Sequence, residues 1–136
     1  MGRNKILIFM LVMAGAIWLS GCSAVAQRDS LKVDKALIGH WVNTNGSSDY
    51  YFSDTGFTKV EKDGSTTNMT YIVVKSNDNE NTITIRVSKP AGILQDEDTR
   101  DIKFSADKKT MTETVNILGI KTSENSYSYA DSKTTP

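Results

Sequence analysis

The chain has 136 residues, with one cysteine, one histidine and two prolines. A lone cysteine cannot close an internal disulfide, so the fold must rest on its own core. One histidine beside one cysteine supplies no zinc-type ligand set, and neither a metal nor another cofactor is expected. Basic and acidic residues balance at sixteen each, which leaves no basic stripe for nucleic acid. No apolar run reaches the roughly 20 residues that a spanning helix needs. There is no glycine-rich phosphate cradle and no internal repeat. Asp78-Asn79-Glu80 and Asp96-Glu97-Asp98 are rich in oxygen ligands but lack the glycine and spacing of a calcium loop, and they read as solvated turns.

The N-terminal segment is the most specific feature present. Arg3 and Lys5 lead into an apolar stretch, Ile6 to Leu19, which ends in small residues and the single cysteine. A basic start, a short apolar stretch and a small-residue exit are the marks of a secretory signal. Leu19-Ser20-Gly21-Cys22 resembles the lipobox of bacterial lipoproteins at every position. That resemblance implies cleavage before Cys22 and transfer of a diacylglyceryl group, with palmitate-type chains, to its thiol. Two acyl chains hold a protein on a bilayer where one does so only reversibly. The expected location is extracytoplasmic, lipid-anchored to the bacterial cell membrane, and at the outer membrane in a Gram-negative host.

Loss of residues 1–21 removes Arg3 and Lys5 and leaves the remainder at a formal charge of −2. Residues 22–30 read as the lipidated cysteine and a tether without periodicity, 31–129 as one domain, and 130–136 as a flexible tail. Within the domain Thr, Val, Ile, Tyr and Phe recur between Asn/Asp/Gly clusters spaced about eight to twelve residues apart, a β pattern. Strands are expected near 38–44, 49–53, 57–62, 67–75, 82–88, 99–105, 110–117 and 120–129. Their short links imply antiparallel neighbours in an up-and-down meander of seven to eight strands. Ile83, Ile85 and Val87 alternate with Thr82, Thr84 and Arg86. Ile102 and Phe104 oppose Asp101, Lys103 and Ser105, and Met111, Val115 and Ile117 oppose Thr110, Thr112, Thr114 and Asn116. One buried face suits a sheet closed on itself. Strand 67–75 is apolar on both faces, which calls for a covering loop or a surface contact. A helical turn capped by Asp29 or Ser30, with Leu31 and Lys35 or Ile38 at helical spacing, is expected before the first strand.

That turn, then Gly39-His40-Trp41 opening the first strand, then the meander, resembles the lipocalin-like barrels. The resemblance implies that Gly39 lets the chain bend in at the barrel floor and that Trp41 packs across the closed end. It covers about residues 39–118 and includes the hairpin segments Tyr51 to Gly56 and Ile102 to Thr110. The chain is shorter than a full-length lipocalin, and it lacks both a Thr-Asp-Tyr motif and an evident basic partner for Trp41 near the last strand. A shortened barrel can be filled by its own side chains.

Candidate functional residues are few. Glu113 shares the inward face of its strand with Met111 and Val115, and Arg100 shares that of Ile102 and Phe104. A four-residue turn at 106–109 would set Phe104 opposite Met111 and Ile102 opposite Glu113, with Arg100 diagonal to Glu113. Unpaired burial of either charge costs several kcal/mol, so they either pair or sit hydrated at an open rim. A pair at the barrel mouth could orient a polar ligand. His40 points away from Trp41 with no nucleophile to assemble a triad, and reads as a surface histidine. The loop from Ser88 to Asp98 carries Ile93 and Leu94 and reads as a lid, a partner-contacting tip or a flap folded on the core. The expected function is non-enzymatic: a monomeric envelope lipoprotein held to the membrane through Cys22. It would bind a small apolar or amphipathic ligand with Trp41, Arg100, Glu113, Ile93 and Leu94. The alternative is a protein-interaction module, an inhibitor or envelope assembly factor, with a filled barrel.

Overall fold

The computed structural model describes residues 27–89 and 98–136. The expected signal, Cys22 and the loop residues Ile93 and Leu94 lie outside them. A 3-10 turn, Arg28–Ser30, and a short helix α1, Val33–Leu37, precede eight strands. These are β1 (Gly39–Asn43), β2 (Ser48–Phe52), β3 (Gly56–Glu61), β4 (Thr66–Asn77), β5 (Thr82–Ser88), β6 (Asp98–Phe104), β7 (Thr110–Ile117) and β8 (Ile120–Asp131). Each strand pairs antiparallel with the next, and β8 pairs back on β1, closing the barrel. The expected all-β meander is therefore the observed fold, and closure removes the sheet edges along most of its length.

Alternation places the core. Ile83, Ile85 and Val87 of β5 point inward with Ile102 and Phe104 of β6, joined by Trp41, Phe52, Phe57, Met69, Tyr71, Met111 and Tyr127 in one contiguous cluster. The Phe104↔Met111 and Ile102↔Glu113 pairings occur as the turn length implies. Beyond Glu113 the expected pattern fails: Val115 and Ile117 are only half-buried. Here β7 and β8 continue past the end of β1, which stops at Asn43 opposite Tyr127, so the hairpin stands clear of the core.

The other end is sealed. Helix α1 buries Val33, Ala36 and Leu37 rather than Leu31, which is exposed. Its N-terminus has no cap from Asp29 or Ser30; instead Asp78 of the β4–β5 turn accepts from the Val33 N–H at 2.8 Å. Lys35 reaches Asp54 of the β2–β3 turn at 3.3 Å. Trp41 is fully buried and its indole N–H donates to the Leu37 carbonyl at 2.8 Å. Gly39 has φ +128°, and a Cβ there would lie 2.7 Å from the Tyr129 ring and 2.8 Å from the Asp131 carbonyl oxygen. Only glycine fits where β1 turns in beneath β8.

Two boundaries differ from expectation. Ala130 and Asp131 belong to β8, where Asp131 pairs with His40, so the tail begins later than residue 130. Residues 28–30 are not tether. The Arg28 side chain is buried, donating to the Ala36 carbonyl and, at 3.0 Å, to that of Lys108.

Candidate functional site

The inward charges meet inside the barrel. Glu113 is fully buried on β7, and Arg100 on β6 keeps only 6% of its surface exposed. A hydrated rim is thus excluded for this pair. Arg100 Nη1 lies 2.7 Å from Glu113 Oε1 and also donates to the Tyr50 hydroxyl at 3.0 Å. Tyr50 and Tyr127 donate to Glu113 Oε2 at 3.3 and 3.4 Å, with their rings stacked at 4.7 Å. Arg100 Nη2 lies 3.4 Å from Asp98 at the start of β6, and the guanidinium lies 5.1 Å from the centre of the Phe57 ring. Asp98 Oδ1 and Arg100 Nε, both buried, have no hydrogen-bond partner among the described residues.

The electrostatics follow from this burial. Desolvation alone would make Arg100 less basic, but Glu113, Tyr50 and Asp98 outweigh it and hold the guanidinium above its usual value. Desolvation, reinforced by the Glu113 charge, pushes the Tyr50 and Tyr127 hydroxyls above their ordinary value. Tyr71, buried near Asp54 and donating to the Ser53 carbonyl at 2.6 Å, is pushed up to about 12. All three tyrosines are neutral donors at physiological pH. Among the described residues no serine or cysteine bonds to this cluster.

Trp41 sits at the opposite, sealed end. The Arg28 guanidinium stacks 3.4 Å from the Tyr129 ring centre and 5.3 Å from that of Trp41. Burial lowers its basicity, partly offset by the Tyr129 oxygen. The basic partner for Trp41 therefore exists, but it comes from the segment read as tether rather than from the last strand. Lys108, held at φ 53° in the β6–β7 turn, adds a bond from Nζ to the Asp29 carbonyl at 2.6 Å. Trp41 and the Arg100–Glu113 pair thus belong to different layers of the barrel. Cys22, Ile93 and Leu94 lie outside the described residues.

Comparison of the chain with family models, curated proteins and solved structures gives no match. The site must be read from its geometry. His40 lies on the outer wall, stacked on Tyr51 at 4.2 Å with Asp49 at 2.9 Å and Asp131 at 3.4 Å from its ring nitrogens. No serine or cysteine is among these neighbours. A shallow groove of about 450 Å³ crosses the outside of β4–β8, lined by Lys75, Thr84, Asp101, Lys103, Thr114 and Glu124. Asp101 is already held by Thr84 at 2.6 Å and Asn116 at 2.9 Å, and the alternating charges favour no one ligand class.

Proposed function

We propose that the protein is a non-enzymatic, lipid-anchored module of the bacterial cell envelope that works by touching another protein, with its barrel filled by its own side chains. The filling of the interior carries this reading. Phe52 packs on Phe57 at 4.6 Å, Phe57 on Tyr50 at 5.2 Å and Tyr50 on Tyr127 at 4.7 Å, and the Arg100–Glu113 pair bonds to Tyr50 within this stack. Interiors packed this closely leave little room for a guest. Anchoring is supported by the likeness of Leu19 to Cys22 to a lipobox and by the docking of Arg28 at the sealed end. The loops at the opposite end then face away from the membrane. There Leu118 and Ile120, each about two-thirds exposed at the β7–β8 tip, offer an apolar contact.

The unpartnered Asp98 Oδ1 and Arg100 Nε favour a second reading, a small amphipathic ligand whose polar head is held at the start of β6. Titration of the mature chain with a fluorescent fatty-acid analogue and with lysophospholipid separates the two. The filled-barrel reading expects no saturable signal. Saturable binding that Arg100→Met abolishes would replace it with the ligand reading.

A further inference from the structure

We propose that the sealed end of the barrel lies against the bilayer itself, with Ile72, Val73 and Val74 of β4 set into the boundary between headgroups and acyl chains. The inference rests on the lipid-anchor reading of Cys22 and adds an orientation and a contact to it.

Strand β3 begins at Gly56 opposite Thr70, and the last bond across this edge runs from the Tyr71 N–H to Thr55. From residue 72 onward β4 therefore has β5 on one side and no strand on the other. This overhanging segment carries three successive apolar residues exposed by 60, 46 and 51%. Val73 lies opposite the inward-facing Ile85 yet stays exposed because β3 has ended, and a shift in register follows between Val73 and Lys75, so Ile72, Val73 and Val74 are exposed together. The overhang ends in the β4–β5 turn, whose Asp78 receives the Val33 N–H of α1. It therefore lies at the end where the chain arrives from its N-terminus.

The length of the preceding segment makes this position consequential. Because Arg28–Ser30 is docked, residues 23–27 set the reach from Cys22, at most about 17 Å when fully extended. A diacylated Cys22 at headgroup level keeps Gln27 within that distance of the membrane. The charged side chains of α1 and its approach, the β2–β3 turn and the overhang with its turn come close to balance, Lys32, Lys35 and Lys75 against Asp34, Asp54, Asp78 and Glu80. A zwitterionic surface would therefore serve as well as an anionic one. The unpaired N–H and C=O groups of β4 tolerate the hydrated headgroup layer but not the hydrocarbon core. The strand lies in the interface and does not span it.

The full lipidated protein, reconstituted in phosphatidylcholine vesicles, allows a direct test. Its only cysteine is consumed by the thioether, so Val73→Cys, Val74→Cys and Leu118→Cys each present one thiol for a fluorophore. Nitroxide-bearing phosphatidylcholine is expected to quench labels at 73 and 74 several-fold more strongly than the label at 118. Equal quenching at all three positions, or none at any, would overturn the contact. A strand supplied by another protein would leave 73 and 74 unquenched in these protein-free vesicles and overturn it too. The mass of the mature N-terminus keeps the failures apart. An unmodified Cys22 refutes the anchor and the orientation with it, whereas a lipidated Cys22 with unquenched labels refutes the orientation alone.

Discussion

Glu113 accepts from two tyrosines and one arginine inside the barrel, so its loss leaves Arg100 buried without its main counter-charge. Breaking one side of a buried pair costs about 3–5 kcal/mol, and Glu113→Met should lower the urea midpoint accordingly. Arg100→Met added to it should restore much of that loss but not all, because the Tyr50 and Tyr127 hydroxyls still lack their acceptor. Equal midpoints for Glu113→Met and the wild type would show that the pair contributes nothing. The tyrosines set the alkaline limit. Their folded values lie above the ordinary 10, and Tyr71 reaches about 12. The unfolded chain then ionises first as pH rises, so stability is intact below about pH 10 and falls progressively through pH 12. Tyrosinate absorbance should show Tyr50 and Tyr127 ionising only with unfolding; smooth titration before it would contradict their burial. The ion pair was legible because Glu113 and Arg100 break an otherwise apolar inward pattern. The phenol partners were not, since a tyrosine in a strand looks the same whether it packs or bonds.

Among the elements, α1 and the 3-10 turn close the barrel through contacts distant in sequence. Arg28 bonds to the carbonyl of Lys108 and stacks on Tyr129, and nothing in Ser23 to Ser30 has a period that would announce this. Its loss removes two hydrogen bonds from a charged donor and a stacking contact, so Arg28→Ala should cost about 3 kcal/mol and alter Trp41 fluorescence. Arg28→Lys should not restore the loss, because an ammonium cannot bridge two carbonyls while lying flat on a ring. An unchanged melting temperature for either variant would return Arg28 to the tether. Gly39→Ala meets both the Tyr129 ring and the Asp131 carbonyl under 3 Å, at a positive φ. A loss of at least ~2 kcal/mol in a thermal melt is expected there. Strand positions were readable from turn residues and alternation. The C-terminal ends of β4 and β8 were not, because Ser76-Asn77 and Ala130-Asp131 have the composition of turn and tail, yet Ser76 and Asn77 pair with β5 and Asp131 with His40.

For the whole molecule, closure of β8 on β1 gives two unlike ends, one sealed by α1 and one bearing the β7–β8 tip. The meander and its closure followed from short links and one-sided burial, while the contents of the interior depend on which large side chains meet across it. On the proposed orientation, Leu118 and Ile120 face outward from the membrane. Leu118→Ser with Ile120→Ser should leave the unfolding free energy within about 0.5 kcal/mol of wild type, as exposed positions do, yet abolish crosslinking to an envelope partner. Crosslinking that survives both substitutions would move the contact elsewhere. The central claim is that the barrel holds only its own side chains, and native mass spectrometry of residues 23–136, made without the lipid, tests it most directly. The account predicts the bare polypeptide mass, unchanged by gentle or harsh activation. A discrete small molecule that co-purifies and is shed on activation would contradict it.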